Sequence, residues 1–369
     1  MKVTDTDVFV IGGGPAGLAA AIAARQRGLQ VTVADGAAPP IDKPCGEGLM
    51  PDSLRALREL GVRVPPEDCY PFRGIRFVSS GSEVAASFPN GCGIGVRRTV
   101  LHRIMVERAA AAGVRLLWKT VVTGLHPDGV FIDARLVRSQ WVVGADGGQS
   151  LVRRWAGLDD YLCRSQRFAF RQHFRVKPWT DCMELYWGRN CQLYVTPIGP
   201  EEICAVVISG DQYLRLDDAL RQFPIFAARL RDAERTSTEQ GAVSATCRLR
   251  KVWRRQVALI GDASGTVDAI TGEGLCLAFR QSILLADCFS AGNLAPYQAA
   301  HRALGRRPGF MAGLMLTLGR HDFLRRRVMR AFTRDQDIFA RMLALHVGEL
   351  RASDFAATGI ALGWGALTA

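Results

Sequence analysis

Lysine is scarce in this chain of 369 residues, because only five of its 47 basic side chains are lysines and the rest are arginines. None of the ten cysteines lies three positions from another, which argues against a zinc knuckle and a thioredoxin-type redox pair. No run of 18 uncharged apolar residues is present, so a membrane-spanning helix is not expected. These absences argue against three classes of protein: zinc-knuckle proteins, thioredoxin-type cysteine redox proteins and integral membrane proteins.

The overall composition favours a globular protein with reduced, mostly buried thiols. Hydrophobic residues make up 48% of the chain, enough for a sizeable core, and the charged fraction of 22% argues against wholesale disorder. Residues 1–7 contain two aspartates and do not resemble a signal peptide. We therefore expect a cytoplasmic protein of one large or two interlocked domains.

Most of the net charge of +12 lies near the C-terminus, since residues 302–341 contain ten arginines against three aspartates, a balance of +7. Apolar residues recur there at helical spacing and arginines, densest at Arg325, Arg326 and Arg327, fill the other faces. One interpretation is helices packed on the core with a solvated basic face. The other is peripheral contact with the inner membrane face or with an acidic carrier, which the uncharged residues 355–369 favour. Base-stacking aromatics do not accompany the arginines, so nucleic acid is not an expected partner.

Short apolar runs that lead into glycine-rich turns predict parallel strands. Residues 8–11 lead into Gly12-Gly13-Gly14-Pro15-Ala16-Gly17, an alanine-rich helix follows, and a second strand ends at Asp35. This is a βαβ unit of about 30 residues. Two further runs, 141–143 and 257–260, lead into the motifs Gly144-Ala145-Asp146-Gly147 and Gly261-Asp262.

Alternating patterns interrupt these nucleotide-fold segments twice, around residues 75–88 and over residues 167–209. From residue 274 onward the pattern is helical. We predict an α/β fold in three parts: a discontinuous Rossmann-like domain (1–69, 96–160 and 248–300), an inserted, mostly antiparallel β-sheet domain for the substrate (70–95 and 161–247) and a C-terminal helical section (301–369).

The glycines of the first motif suit a dinucleotide. Gly12 permits a tight turn, Gly14 lets the backbone approach a pyrophosphate, and Gly17 lets the helix pack closely on the strand. The helix N-terminus stabilises phosphate charge. Asp35, at the end of the second strand, is placed to accept hydrogen bonds from a ribose diol.

In order and spacing, the three motifs resemble the FAD-dependent oxidoreductases of the para-hydroxybenzoate hydroxylase type, over about residues 5–300. The resemblance implies FAD as the cofactor and NADPH or NADH as a transient electron donor, because only one dinucleotide fingerprint is complete. Arg98 matches the family's Arg-x-x-Leu helix that contacts FAD, the alternative being a surface arginine. The implied FAD-binding residues are Gly12, Gly14, Ala16, Gly17, Asp35, Cys45, Gly46, Arg98, Val122, Asp146, Asp262, Gly272, Gly274 and Leu275.

Two segments resemble the geranylgeranyl-reductase-like branch of these enzymes. They are the Cys-Gly-rich loop Lys43-Pro44-Cys45-Gly46-Glu47-Gly48-Leu49, and Gly265 with Thr271-Gly272-Glu273-Gly274. Ala269 stands where proline is usual. The aromatic signature of the prenyl reductases is only partly present, at Tyr194, Pro197 and Gly199, and both tryptophans of the halogenase signature are missing.

The resemblance leaves two main reactions open. The first is hydroxylation of a lipophilic aromatic or polyketide-type molecule through a flavin hydroperoxide. The second is reduction of C=C bonds in an isoprenoid or quinone-like lipid. Hydroxylation ranks slightly ahead because the reductase signature is eroded, and a halogenase or a non-enzymatic flavin-binding protein ranks last.

The candidate catalytic residues, Cys45 and Glu47, lie in the loop expected beside the flavin. Cys45 has two interpretations: a thiol that is redox-active or donates a proton, or a small side chain that fits the loop. Glu47 also has two: a catalytic group, or a side chain that holds the loop in place. Alternation predicts that Phe168, Phe170 and Phe174 cover the substrate, while Arg171 and His173 lie on the other face, which is solvated or faces the substrate. The histidines are scattered, so no metal site is predicted.

Overall fold

The computed structural model describes residues 5–79 and 81–350. The strands are β1 (Thr6–Ile11), β2 (Val31–Asp35), β3 (Gly48–Leu49), β4 (Tyr70–Phe72), β5 (Gly74–Ser79), β6 (Ser82–Ser87), β7 (Gly93–Gly95), β8 (Arg115–Trp118), β9 (Val122–His126), β10 (Gly129–Ile132), β11 (Arg135–Gly144), β12 (Tyr161–Arg175), β13 (Cys182–Trp187), β14 (Cys191–Gly199), β15 (Glu202–Ser209), β16 (Glu234–Arg235), β17 (Gln240–Leu249), β18 (Trp253–Arg254), β19 (Val257–Leu259) and β20 (Gly265–Thr266). The helices are α1 (Pro15–Gln26), α2 (Pro51–Glu59), α3 (Arg98–Ala111), α4 (Leu151–Trp155), α5 (Leu216–Leu220), α6 (Pro224–Arg229), α7 (Gly274–Ser290), α8 (Ala295–Leu304), α9 (Arg306–Arg320), α10 (Asp322–Arg334) and α11 (Gln336–His346). Short 3₁₀ turns lie at Pro66–Asp68, Gly261–Ser264 and Ala269–Thr271. Within the described ranges, no helix is long and apolar enough to cross a membrane.

The first sheet contains the predicted βαβ unit. Its strands lie in the order β18-β19-β11-β1-β2-β8, and β19, β11, β1, β2 and β8 are parallel. Helix α1 packs on β1 and β2 and contacts α3 and α7. The carboxyl ends of β1, β11 and β19 bring the three glycine-containing motifs to one edge, where doubly wound sheets bind nucleotides. The predicted α/β fold is confirmed.

The second sheet is mostly antiparallel and separates two apolar cores. Its order is β20-β17-β12-β15-β14-β13-β5-β6, with only β13 and β5 parallel along this path. Phe170 and Phe174 pack against α5 and α6 on one face, and Met183 and Leu185 pack against α9, α10 and α11 on the other. The expectation that Phe168, Phe170 and Phe174 cover the substrate is therefore wrong, because α5 and α6 cover that face.

A small third sheet, in the order β3-β7-β4, fastens the two larger parts together. Strand β7 passes so close to β14 that a Cβ on Gly95 would lie 1.8 Å from the carbonyl oxygen of Pro197. Only glycine tolerates such an approach. Because β3 pairs with β7, the Cys-Gly-rich loop that precedes β3 is held against the second sheet.

The C-terminal helices pack their apolar faces on the second sheet, and the buried residues there are Leu318, Val328, Phe332, Phe339 and Leu343. Arg325 also points inward, since it is only 4% exposed and donates hydrogen bonds to Ser79 Oγ and the Leu318 carbonyl. The prediction that Arg325, Arg326 and Arg327 lie together on outer faces is thus wrong, and of the three only Arg326 is exposed. The contact predicted from residues 355–369 lies outside the described residues.

A shared ion pair attaches the C-terminal helices to the first part of the chain. Arg307, in the first turn of α9, donates from Nη2 to Asp52 of α2 at 3.1 Å and to Glu273, just before α7, at 3.0 Å. Both carboxylates are almost completely buried. Removing one partner of a buried ion pair is strongly destabilising, because the remaining charge is left without compensation.

We predict that Arg307→Met lowers the free energy of unfolding by about 3 kcal/mol, since two buried carboxylates lose their cation. Urea unfolding of the purified protein measures this change. The matched control is Arg306→Met, at the exposed preceding position, which should change the value by less than about 0.5 kcal/mol. Equal losses in the two variants would contradict the assigned role of Arg307.

Candidate active site

The turn after β1 forms a cradle of backbone atoms. Gly12 has φ 111°, and a Cβ there would lie 2.5 Å from the carbonyl oxygen of Ala145 in the second motif. A Cβ on Gly17 would lie 1.8 Å from the carbonyl oxygen of Gly12, so both positions require glycine. The third motif is equally close, since a Cβ on Gly261 would lie 2.8 Å from the Cβ of Ala16.

A buried cation faces this cradle. Arg98 opens α3, is 7% exposed, and places Nη2 4.0 Å from the position of a Cβ on Gly14. Its Nη1 has no hydrogen-bond partner among the described residues. Burial lowers the pKa of Arg98, although nearby Cys45 and Asp262 act against it, and a guanidinium stays charged in proteins. A buried cation whose Nη1 lacks a partner in the described part of the chain, and which lies beside a glycine loop, fits the pyrophosphate of FAD, and its burial rules out a surface arginine.

The three motif aspartates each have a partner in the protein. Asp35 accepts hydrogen bonds from the backbone of Gly13 at 2.6 Å and of Ala37 at 2.8 Å. Asp146 accepts from Ser150 Oγ and from two backbone N–H groups at the start of α4. Asp262 pairs with Lys43 Nζ at 2.6 Å. All three have oxygens at the edge where the motifs meet, and their contacts with FAD stay predictions.

Val122, Gly272, Gly274 and Leu275, which the resemblance also implies as FAD-binding residues, lie at two further places. Val122 begins β9, and the adjoining Val121 side chain would lie 3.3 Å from a Cβ on Gly36, just past β2. Gly272 has the left-handed conformation (φ 67°), and Gly274 and Leu275 form the first turn of α7. Because α7 packs on α1 and on the turn Gly261–Ser264, its N-terminus lies near the cradle.

Three residues outside the predicted set of FAD-binding residues also shape the cradle. The ring nitrogen Nε2 of buried His102 lies 2.9 Å from the carbonyl oxygen of Gly13, and the Trp118 ring covers Gly13. Arg153 donates to the carbonyl groups of Gly148 and Ala263, so it joins the second motif to the third. The spacing of four between Arg98 and His102 on one helix was the available signal for His102.

Glu47 is the centre of a buried polar cluster in the Cys-Gly-rich loop. It has φ 57°, a left-handed conformation that favours glycine, and its side chain is buried. Oε1 accepts hydrogen bonds from Arg98 N and Arg171 Nη1, both at 3.0 Å, and Oε2 lies 2.7 Å from His173 Nε2. Arg171 and His173 are buried, so a solvated face is wrong for them, because the loop covers this side of β12.

Cys45 keeps its proton at neutral pH. Burial, together with the negative charge of Glu47, raises the pKa of the Cys45 thiol to about 11. The reactive form of cysteine is the thiolate, so this environment disfavours a nucleophilic role. A proton-holding thiol remains compatible with it.

The cluster also contains three potential metal ligands. Glu47, His173 and Cys204 place their ligand atoms within 4.8 Å of one another. Arg171 already pairs with Glu47, and burial raises the pKa of Cys204 well above its usual value. These features favour a hydrogen-bonded cluster over a metal centre, and the expectation of no metal site stays a prediction.

An apolar cavity of about 40 Å³ lies between the second sheet and helices α9 and α11. Its lining includes the four methionines Met183, Met311, Met315 and Met342, whose flexible side chains adapt to irregular shapes. Ile270 and Thr271 also line it, so the cavity reaches the implied flavin segment Thr271-Gly272-Glu273-Gly274. A lipophilic substrate larger than the cavity requires these methionines to move.

The cavity has a polar end. His346 lines it, and His346 Nδ1 lies 3.6 Å from Glu273 Oε2. Both atoms are buried and have no hydrogen-bond partner within the described part of the chain. Burial raises the pKa of Glu273, while His346 and Arg307 act in the opposite direction. A few polar groups in an apolar pocket commonly set the orientation of a ligand.

Comparison with known proteins agrees with this geometry. A family model described as FAD binding domain matches residues 5–184. The chain is 30% identical to menaquinone reductase from Mycobacterium tuberculosis over 330 residues, which cover 80% of this chain and 79% of the relative. It is 29% identical to digeranylgeranylglycerophospholipid reductase 1 from Methanothermobacter thermautotrophicus, with 77% of each chain covered.

A solved structure described as a flavoprotein/dehydrogenase from Cytophaga hutchinsonii shares the fold, with a TM-score of 0.82, 18% identity and 98% of each chain covered. FAD-dependent monooxygenases, a flavin-dependent brominase and a geranylgeranyl bacteriochlorophyll reductase-like protein also share it. At this level of identity the likeness shows the fold and does not distinguish among these reactions.

We predict that Arg98→Met weakens FAD binding by at least about tenfold, because a hydrogen bond to a charged group contributes about 1.5–3 kcal/mol. Titration of deflavinated protein with FAD, followed by flavin fluorescence, measures the change. Arg103→Met on the exposed side of the same helix is the matched control and should retain the wild-type affinity. Unchanged affinity in Arg98→Met would remove this residue from the cofactor site.

One assignment follows from the cradle at the ends of β1, β11 and β19, from the buried Arg98 cation beside it and from the long match to curated relatives. The chain belongs to the family of FAD-dependent oxidoreductases of the para-hydroxybenzoate hydroxylase type, in the geranylgeranyl-reductase-like branch.

Proposed function

We propose that this oxidoreductase reduces C=C bonds in an isoprenoid or quinone-like lipid and takes its electrons from NADPH or NADH. The observation that carries the proposal is the methionine-lined apolar cavity that reaches the implied flavin segment. The names of the curated relatives, a menaquinone reductase and a digeranylgeranylglycerophospholipid reductase, support it. This places reduction ahead of hydroxylation, which the sequence patterns alone ranked first.

The chain's own residues have distinct tasks in such a reaction. FAD, when bound, supplies the hydride chemistry. Arg98 and the glycine cradle hold its phosphates, and the apolar cavity excludes water from the reacting bond. Reduction of a C=C bond also requires a proton, and the Cys45 thiol holds one in the loop beside the implied flavin position.

Hydroxylation of a lipophilic aromatic or polyketide-type molecule is the second candidate. The observation that favours it is the eroded aromatic signature of the prenyl reductases. Tyr194, one of the compatible residues, is buried and donates its hydroxyl proton to the carbonyl oxygen of Ile270. Because this hydrogen bond already uses the hydroxyl proton of Tyr194, the hydroxyl is poorly placed to donate a proton to the substrate during reduction.

We predict that the holoprotein, supplied with NADPH without oxygen, converts menaquinone or a geranylgeranyl phospholipid to a product that stays heavier by two hydrogens after the extract is exposed to air, which returns any quinol to the quinone. The apolar cavity favours these substrates, and mass spectrometry of the extracted lipid detects the change. The same incubation in air is the control. A product that gains one oxygen atom, and only in air, would overturn the reductase proposal and support hydroxylation.

We also propose that the outer face of α9 and α10 docks on an anionic membrane surface. Phe310 and Phe323 are 51% and 63% exposed, and exposed Arg306, Arg320 and Arg326 lie on the same two helices. Aromatic side chains enter the interface while arginines are attracted to anionic lipid. The inner face of α9 lines the cavity through Met311 and Met315, so docking would bring a lipid substrate close to the site.

We predict that the double variant Arg326→Ala/Arg330→Ala binds vesicles containing phosphatidylglycerol about 30-fold more weakly. Each arginine near an anionic membrane surface contributes about 1 kcal/mol to binding, and two are removed. Cosedimentation with the vesicles measures binding. Arg325 is left intact because it is buried. The matched control, Arg63→Ala/Arg115→Ala, removes the same charge from exposed positions elsewhere. Equal losses in both variants, or binding to an acidic carrier protein but not to vesicles, would overturn membrane docking.

A further inference from the structure

A chain of hydrogen bonds runs from the partly exposed Ser237 to the Cys-Gly-rich loop. Ser237 lies between β16 and β17, and its Oγ is 2.8 Å from Nδ1 of His173. His173 lies on β12 and is completely buried, and its Nε2 is 2.7 Å from Oε2 of Glu47. Each member can both release and accept a proton, so the chain has the chemistry of a proton path.

The surrounding hydrogen bonds set the direction of this path. The backbone N–H of His173 donates to Ser237 Oγ at 3.1 Å, which leaves the hydroxyl proton free to point at Nδ1. A neutral imidazole that accepts at Nδ1 carries its proton on Nε2, where it donates to Glu47. Both donors then point inward, from the surface to the loop.

The charges around Glu47 leave one of its oxygens available to His173. Oε1 is occupied by Arg171 and by the backbone N–H of Arg98, and Arg171 also pairs with Asp42 at 2.9 Å. Oε2 is bonded to His173. The backbone of Glu47 has the left-handed conformation that favours glycine, so the hydrogen bonds of its carboxylate offset the backbone strain.

The inner end of the path lies in the loop that carries Cys45. Glu47 is two positions after Cys45 in the chain, and burial together with the charge of Glu47 raises the pKa of the thiol. Cys45 as a whole residue is half-buried, and it belongs to the loop implied to contact FAD. The path therefore joins the outer surface at Ser237 to the loop beside the reaction site.

We propose that Ser237, His173 and Glu47 form a proton relay that returns a proton to the Cys45 loop after each reduction. The proposal rests on the reductase function above. Reduction of one C=C bond breaks its π bond and forms two C–H bonds, one from a hydride that brings both electrons and one from a proton of the Cys45 thiol. Glu47 passes a proton to the resulting thiolate as His173 Nε2 protonates Glu47, Ser237 protonates Nδ1 and solvent reprotonates Ser237. Ser237 and Glu47 return to their starting states, whereas the His173 proton has moved from Nε2 to Nδ1, so the imidazole must return to the Nε2-protonated tautomer before the next turnover.

The test uses the lipid that the wild-type enzyme reduces in the product assay, menaquinone or a geranylgeranyl phospholipid. Reduced holoenzyme is mixed with it without oxygen, and the return of flavin absorbance gives the rate. In His173→Ala we expect a rate about 100-fold lower, a larger solvent deuterium isotope effect and partial rescue by added imidazole. A purely structural role for His173 would not produce the isotope effect or the rescue.

A second variant covers the case in which His173→Ala does not fold. Ser237→Ala leaves the His173–Glu47 pair in place, and we expect a rate about tenfold lower with a raised solvent isotope effect. The matched control is Ser209→Ala, a buried serine of β15 whose hydroxyl donates to the carbonyl oxygen of Asn190 outside the relay. This control should match wild type.

The outcomes separate the two proposals. In all variants, reduction of the flavin by NADPH should stay within about twofold of wild type, because the relay acts after that step. If both relay variants oxidise at the wild-type rate with the wild-type isotope effect, the relay is overturned and the reductase function stands. If reduced wild-type flavin is not reoxidised by either lipid, the reductase function fails and the relay fails with it.

Discussion

The pairing of buried charges holds the parts of this molecule in position. A charge that loses water must find an opposite charge or hydrogen bonds, and here the partners come from distant elements. Arg171 of the second sheet pairs with Glu47 in the Cys-Gly-rich loop, and Arg307 of α9 pairs with Asp52 and Glu273 of the first part. Arg98 places Nη2 beside the glycine cradle, and among the described residues its Nη1 has no hydrogen-bond partner, which fits the predicted contact with FAD.

The two faces of the second sheet have different functions. One face carries an ordinary apolar core with α5 and α6, and the other combines the cavity and the polar cluster around Glu47. This arrangement puts apolar substrate space and proton-carrying groups on the same side of the sheet. It also explains why α9 and α11 both support the sheet and line the cavity, while Phe310 of α9 and Phe323 of α10 are exposed.

A reductase of lipid double bonds must bring together three things that enter by different routes. In our proposals the lipid arrives at α9 and α10, the cofactor occupies the edge of the first sheet, and protons enter at Ser237. The small third sheet matters here because β3 follows the Cys-Gly-rich loop and β7 abuts β14. The loop is thereby fixed against the second sheet, where Glu47 reaches His173.

The sequence by itself determined the order of the elements, the three motifs and the cofactor class, because these depend on local rules. Gly12 is required by its φ of 111° and Gly17 by the nearby carbonyl oxygen of Gly12, and the apolar runs mark buried strands. Alternation also showed that Arg171 and His173 share a face. What covers that face, and which arginines near the C-terminus point inward, only the tertiary structure decided. Glu47 and His173 lie 126 residues apart, and no periodicity reports a contact between positions so distant in the chain.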